Sequence, residues 1–536
     1  MVAITSFDVH PVAIPPTGFG GDARNIAQGG PIYANAVLEI GTDRPGLRGT
    51  SIIFTNGHGL REMCEFTESV ALRFLLDRQA PVVLDDLHRN GNLGKFSRAM
   101  LQDRDYEWLG GVGVSRMAIG AVINALWDLT AKLQGVPAWR LITDMAPEEI
   151  LHFIEFEQIG DVLSPADALS ILASAQTGKQ QRIENIGEHG LLAYNTVGWS
   201  GIGKDDLITH TRRMIRDNWP QIKIKVGASY SKTRTAAERA ARALNREDLD
   251  RLALSAADDD AERLLWVYRT IQQDDPRPVK MKVAVDSNQI FDTRSAFLFI
   301  RQLAQTLYRA NPYFTIEWFE EPTSPHSAMG HLHIQQQLRE SFKDCDPPLD
   351  VPIATGEQGT SPVIFKDLIH APAAIGALNE KCSLDVIQMD YSRVGGIGDN
   401  LAILLLAQKA RLEGRDLRIC PHAGGIGLCE GVRHLQAIKE ALFGSNSSST
   451  SNAGPEDILE YVADEQRSLH ERVFQNPAII KDGRYQMPDI PGVGVDYTEQ
   501  AKRRYTLPMG DAWHVSEELA ELAQKLMLAG ERYPRD

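Results

Sequence analysis

Two lysines, three carboxylates and an aspartate–histidine pair stand at strand-like positions through the second half of this chain. Lys223 and Lys225 alternate with Ile222, Ile224 and Val226. That is the period of a β-strand, and it puts two ammonium groups on one face and the apolar side chains on the other. Four later apolar runs end in acid, at Asp286, at Glu320-Glu321, at Glu357 and at Asp390, and a fifth ends in Pro421-His422. Asp286, Glu320 and Glu357 are hard oxygen ligands, and three carboxylates converging from adjacent strands suit octahedral Mg2+ with open positions. Glu317 and Glu321 compete with Glu320; alternation sets both with Phe319 and opposite Glu320, and spacing alone does not choose. Such a cation binds a carboxylate and bears the charge of an enediolate when a proton leaves the adjacent carbon. Lys225 is the candidate base, its pKa lowered by Lys223 and the cation. His422, oriented and kept protonated by Asp390, is a candidate acid or base on the other side. One such aspartate alone reads as a cap, and one such histidine as a structural group. It is their recurrence that makes them a set.

The elements that must position these groups follow from the intervals. Successive strand ends lie 61, 34, 37, 33 and 32 residues apart, and helical periodicity fills 207–216, 295–308 and 400–411. Four of the five intervals fit one βα module, so a parallel sheet is expected, with the chemistry at the C-terminal strand ends as in a (β/α) barrel. The long first interval contains 234–263, dense in Arg, Ala, Asp and Glu, which reads as an inserted helical or mobile excursion with a solvated, charged face. Residues 1–150 read as an α+β unit with strands at 2–14 and 34–39 and a Gly/Pro-rich loop at 15–31 that carries Asp22 and Arg24. A helix is expected over 115–133, with a broad apolar stripe and a stop at Gly135. Glycine clusters at Gly110-Gly111-Val112-Gly113, Gly395-Gly396-Ile397-Gly398 and Gly424-Gly425-Ile426-Gly427 lack the full phosphate-loop pattern and read as tight βα turns. Residues 445–452 are low-complexity, and a last helix is expected over 516–528.

With 536 residues, 43% hydrophobic and 24% charged, the chain has an ordinary soluble composition. A net charge of −15 argues against nucleic-acid binding, because an acidic surface repels a phosphate backbone. Five cysteines without a C-x-x-C pair favour a reducing compartment and no structural zinc. No run approaches the ~18 apolar residues of a membrane span, and the N-terminus reads as a strand rather than a leader. A cytoplasmic protein with no membrane partner is expected.

The same residues, with several motifs around them, resemble the enolase superfamily, mandelate-racemase subgroup. The segments Trp127-Asp128-Leu129-Thr130-Ala131-Lys132, Pro137-Ala138-Trp139-Arg140, Glu320-Glu321-Pro322-Thr323-Ser324-Pro325, Arg393-Val394-Gly395-Gly396 and Pro421-His422-Ala423-Gly424-Gly425-Ile426-Gly427-Leu428-Cys429-Glu430 resemble L-fuconate dehydratases and the related fungal L-galactonate dehydratases. The resemblance implies an α/β fold: a modified TIM (β/α)7β barrel over 151–460, an α+β capping domain over 1–150, and a segment over 461–536 returning to the cap. It implies that Lys225 takes the C2 proton of a small acid sugar while Mg2+ holds the enediolate. His422, with Asp390, would protonate the departing C3 hydroxyl, leaving a 2-keto-3-deoxy sugar acid. It assigns the metal to Glu320 within the triplet, adds a carboxylate at Glu460 and makes a homo-oligomer expected. Asp22, Asn25, His58, Trp199, Asn288 and Glu460 are the expected substrate contacts. The chain departs from the dehydratase pattern at Gly21-Asp22-Ala23-Arg24-Asn25. It also departs at His58, where an Arg is usual, and at Gln358-Gly359-Thr360-Ser361-Pro362, where H-T-Q-N-R is usual. Insertions follow Val226, Leu368 and Phe443. A racemase or epimerase using the same intermediate, a Schiff-base aldolase and a non-catalytic binding homologue are the competing readings.

Overall fold

The alternating N-terminal segment forms antiparallel strands β1 (Ile4–Ala13), β2 (Ala34–Thr42) and β3 (Arg48–Thr55), hydrogen-bonded in that order. The computed structural model of this chain describes residues 1–16, 21–22, 32–374, 384–444, 457–462 and 464–527. The helix Val114–Gln134 packs on this sheet and ends at Gly135, whose φ of 69° supplies the left-handed cap expected of it. It is buried almost all round rather than along one stripe, because a second layer covers its other face. Gly120 shows how close that layer comes: a Cβ there would lie 2.3 Å from the carbonyl oxygen of Val394.

The second layer is the parallel sheet. Its strands are β4 (Leu191–Gly198), β5 (Gln221–Lys225), β6 (Lys282–Asp286), β7 (Phe319–Glu320), β8 (Ile353–Thr355), β9 (Val386–Ile387), β10 (Arg418–Ile419) and β11 (Leu459–Val462). From β4 to β10 each strand pairs in parallel with the next, and β11 pairs in parallel with β4. The backbone N–H of Glu460 in β11 also donates to the carbonyl of Pro421 beyond β10, at 3.4 Å. One residue from each of seven positions around this sheet, Tyr194, Ala284, Trp318, Ala354, Val386, Cys420 and Ile458, forms a buried cluster separate from the main core. Small and large side chains interleave within it. Ile222, Ile224 and Val226 point the other way, into the main core under the helices, where full burial contributes about 1.5–3 kcal/mol for each side chain. The registers place Lys225 opposite Asp286 and Asp286 opposite Glu320, so the strand ends line up at one level.

Residues 234–263 are largely helical, one of the two forms expected of the excursion, but their face is not wholly solvated. They fall in two helices joined by 240–245, Ala228–Arg239 and Arg246–Asp274, and the second is 29 residues long. It opens on a capping box in which Asn245 and Asp248 exchange side-chain and backbone hydrogen bonds. Ala253, Ala256, Ala257, Ala261 and Leu264 recur at helical spacing and are buried. Small residues between charged ones let this helix press onto its neighbours, Lys204–Arg216 and Thr293–Ala310. The cluster Gly110–Gly113 likewise joins two helices, Arg104–Trp108 and Val114–Gln134, rather than a strand and a helix. The low-complexity stretch 445–452 lies outside the described residues.

Beyond β11 the chain adds a hairpin, β12 (Ile479–Lys481) and β13 (Arg484–Gln486), turned at Asp482-Gly483 where both φ angles are positive, and β13 pairs with β4. The chain then returns to the N-terminal layer. Trp513 donates from its indole to the carbonyl of Ala13 at 3.0 Å, and Leu507 and Leu526 join a cluster with Ala34 and Met117. Among the described residues no helix is long and apolar enough to cross a membrane.

The two layers are also joined by charge. Arg116 on Val114–Gln134 makes a two-pronged bond to Asp399, 2.6 and 2.7 Å, with both side chains buried. Asp399→Ala leaves a buried guanidinium uncompensated, and a loss of about 3–5 kcal/mol is expected in denaturant unfolding. A change under about 1 kcal/mol would show that water reaches Arg116.

Candidate active site

The strand ends bring Lys223, Lys225, Asp286, Glu320, Glu357, Asp390, His422 and Glu460 together. Lys223 is 1% exposed, and its ammonium donates to Glu320 Oε1 at 2.5 Å and pairs with Glu460 at 2.7 Å and Asp286 at 3.4 Å. Lys225 donates to Asp286 Oδ2 at 2.5 Å and lies 5.5 Å over the Trp199 ring. Ligand atoms of Asp286, Glu320 and Glu357 lie within 4.8 Å of one another. The second oxygen of Glu320 accepts from Trp318 Nε1 at 3.0 Å and Gln388 Nε2 at 2.6 Å, which fixes the carboxylate's orientation.

Of the acidic triplet, Glu320 is the one that groups with Asp286 and Glu357. Glu317 sits at the other end of its run, bonded to Arg418 at 2.5 Å and Lys282 at 3.0 Å. Glu321 does not continue the alternation, because its φ is 50° and the strand has ended. It turns into a pocket where Gln289 and Asn288 donate to it.

Among the protein's own groups the Lys225 ammonium is held above its ordinary range: burial and Lys223 work against the charge, but Asp286 outweighs them. Lys223 is raised for the same reason, with Glu320 and Glu460 as its main partners. Burial pushes Glu320 up to about 8, with Asp286 and Glu460 adding to the rise against the pull of Lys223. Burial opposes the ionised form of Asp286 too, yet Lys225 and Lys223 hold it well below the usual carboxylate range. Glu460 is likewise lowered to about 2, by Lys223 and then His422 against burial.

His422 fits the expected pairing. Its Nδ1 lies 2.8 Å from Asp390 Oδ2, and Asp390 is itself held by the backbone N–H of Ser392 at 2.7 Å. Burial alone would lower this imidazole, but Glu357, Asp390 and Glu460 carry it up to about 9. Its Nε2 has partners of both kinds. Gly424 N–H donates to it at 3.0 Å, a bond only the neutral ring accepts, and Glu357 Oε2 lies 3.2 Å away, a partner for the protonated ring. Position 424 must be glycine for this approach, since a Cβ would stand 2.4 Å from Nε2.

Above these groups lies an open cavity of about 660 Å3 including its mouth. Asp22, Trp199, Asn288 and Glu460 line it. His58 does not: Gly57, with a φ of 83°, turns the chain and leaves His58 exposed before the helix Leu60–Ala71 begins. Asn25 lies outside the described residues. Sequence reasoning missed Tyr33, Asn56, Thr196, Gln358 and Arg393, which also line the cavity. Arg393 supplies a guanidinium here, donating to Gln358 Oε1 at 2.5 Å, with its Nε unpartnered. The available signal was position, three residues after Asp390 at the end of β9.

The donor set suits Mg2+, since it consists only of hard anionic oxygens on three neighbouring strands. Buried carboxylates packed this tightly, with Glu321 also raised well above its ordinary value by burial and by Glu357, call for added positive charge.

A family model described as "Enolase C-terminal domain-like" matches residues 206–501. The chain is 32% identical over 501 residues to human mitochondrial enolase superfamily member 1, covering 93% of this chain and 94% of that protein. It is also 32% identical over 524 residues to L-galactonate dehydratase of Hypocrea jecorina, covering 96% and 97%. The crystal structure of the human protein matches with a TM-score of 0.76 at 31% identity, over 95% of this chain and 98% of that one. L-talarate/galactarate dehydratase of Salmonella typhimurium LT2, liganded with Mg and L-lyxarohydroxamate, shares the fold with a TM-score of 0.58 at 21% identity, over 94% and 93%.

Excess Mg2+ is expected to raise the thermal midpoint, by the equivalent of about 2.7 kcal/mol at one hundred times Kd. Asp286→Asn or Glu357→Gln should abolish that rise. A wild-type midpoint indifferent to Mg2+ would leave the triad as an ion-pair cluster with the lysines.

Proposed function

The chain belongs to the enolase superfamily, and on that footing we propose that it is a Mg2+-dependent acid-sugar dehydratase of the L-fuconate dehydratase type. It is an enzyme of the lyase class. The observation that carries the reading is that Lys225 and His422 line one cavity together with Glu357, whose ligand oxygen lies within 4.8 Å of those of Asp286 and Glu320. The strands of Lys225 and His422 are separated by β4 and β11 on one side and by β6 to β9 on the other. The parallel ladder and the Glu460–Pro421 bond support closure as a modified (β/α)7β barrel spanning 151–460. Residues 1–150 and 461–536 then form the cap, a division supported by the Trp513–Ala13 and Leu507–Pro11 hydrogen bonds.

In this mechanism Lys225 takes the C2 proton of a sugar acid. Lys223, locked among three carboxylates, stays charged and holds the field at that point. Mg2+ held by Asp286, Glu320 and Glu357 would supply Lewis-acid stabilisation of the substrate carboxylate and share the charge of Asp286 that now keeps Lys225 protonated. His422 delivers its Nε2 proton to the departing C3 hydroxyl, which leaves as water. Asp390 keeps the ring aimed through Nδ1. The resulting enol loses its C2 hydroxyl proton to water, gains one at C3 and becomes a 2-keto-3-deoxy acid. Asp22, Trp199, Asn288 and Glu460 surround the substrate, and Arg393, bonded to Gln358, adds a guanidinium. Four free cysteines among the described residues support a reducing, cytoplasmic setting, and a homo-oligomer remains part of the proposal.

The test is a screen of purified protein with Mg2+ against a stereochemically complete library of mono-acid sugars, with 2-keto-3-deoxy product read by semicarbazide. A turnover that falls about 100- to 10,000-fold in Lys225→Ala and in His422→Asn is expected. Deuterium exchange at C2 without keto product would make the protein an epimerase. Metal binding without turnover on any acid would make it a binding protein. The folded pKa of His422 lies above its ordinary value, so the proton donor is present below about pH 9 and kcat/KM should fall as pH rises through it. A flat alkaline limb would take the acid role from His422.

A further inference from the structure

The last residue of β5 carries the base, and the strand ladder does not hold all of the backbone there. Val226 N–H donates to the Asp286 carbonyl at 2.9 Å, but the carbonyl of Lys225 accepts from Arg263 Nη1 at 2.8 Å. Two residues on, Gly227 N–H donates to Asp260 Oδ2 at 2.6 Å. Asp260 and Arg263 come from one turn of the helix Arg246–Asp274 and are bonded to each other at 2.8 Å. Asp260 is 4% exposed, and the Arg263 side chain 16%. The second prong of Arg263, Nη2, reaches the carbonyl of Trp199 at 3.3 Å.

That second contact gives the pair more than a helix-docking role. Trp199 lies just past the end of β4, and its ring is the aromatic wall beside the Lys225 ammonium. Its neighbour Ser200 donates from its backbone to the carbonyl of Gly21 at 2.9 Å, next to Asp22, a further lining residue. One guanidinium therefore ties together the base, the wall that faces it and the strand end to which the cap is bonded. A planar fork can reach two carbonyls on different strands at once, whereas an ammonium group is a single point charge.

We propose that Asp260 and Arg263 are positioning residues for proton abstraction, with Arg263 setting the aim of Lys225 against Trp199 and Asp260 holding both Arg263 and the Gly227 turn. The kinetic consequence rests on the reading of Lys225 as the base; the structural consequence does not. A displacement of about 1 Å at a reacting group costs on the order of 100-fold in rate.

The experiment uses the full chain with Mg2+ and three variants, Arg263→Gln, Arg263→Lys and Asp260→Asn. Hydrogen exchange followed by mass spectrometry should show faster exchange, by about tenfold, in peptides covering 199–203 and 225–230 of Arg263→Gln, with the rest of the protein unchanged. With the best acid from the library, kcat should drop about 100-fold with KM within about threefold, and the isotope effect on C2 deuteration should rise. Arg263→Lys should recover part of the loss, and Asp260→Asn should fall between it and Arg263→Gln. Unchanged exchange in those two peptides would overturn the proposal. So would a kcat loss that only tracks a fall in thermal midpoint and in protection throughout the protein. If wild type turns over no acid, the dehydratase reading fails, and the exchange data still decide whether Arg263 clamps the two segments.

Discussion

One buried ammonium organises the centre of this protein. Lys223 is enclosed by Glu320, Glu460 and Asp286, which come from three strands other than its own. Each of these carboxylates alone would be costly to bury ionised, and together they would repel one another. Lys223 makes their convergence tolerable. Because β5 alternates, the same strand that delivers this charge also delivers Lys225 two residues later, one level nearer the cavity. Lys225 is thus placed by the residue that neutralises its surroundings. The register of Lys225 against Asp286 follows from the same ladder.

A second knot holds the two layers over this centre. Asp128, on the helix between them, accepts from Thr50 N–H at 2.8 Å and from Val493 N–H at 2.7 Å, and pairs with Lys132 at 2.6 Å. It therefore touches the first sheet, its own helix and the returning C-terminal segment at once. Phe54 belongs to the same connection, since its backbone N–H donates to Ser392 Oγ, whose own N–H holds Asp390. The aspartate that orients His422 is in this way reached from the N-terminal sheet through a single serine.

Much of this was legible from residues alone. Lysines alternating with isoleucines, and acids ending successive apolar runs, carry strand period and strand polarity together, so the core of the site could be read. The unread parts have physical reasons. The helix Arg246–Asp274 hid its buried face because its packing residues are alanines, and its charged residues dominate any average over the window. Asp260 and Arg263 among those charges turn inward, which no periodicity distinguishes from their exposed neighbours. His58 was misplaced because two glycines reverse the chain around it. The charge of Lys225 depends on an oxygen 2.5 Å away from a strand 61 residues later in sequence, which is tertiary information. The Asp482-Gly483 turn was readable as a hairpin, yet its short, half-exposed strands lack alternation to support it.

The enclosure of Lys223 has a temporal side. Its partner Glu460 arrives 237 residues later, on the last strand of the parallel sheet. During synthesis, β5 through β10 leave the ribosome before that carboxylate exists, and the carbonyl of Pro421 has no strand to meet. Through most of translation the chain holds Lys223, Lys225 and Asp286 but not the group that bridges Lys223 to the histidine side. The full enclosure of Lys223 therefore waits for the last strand of the parallel sheet.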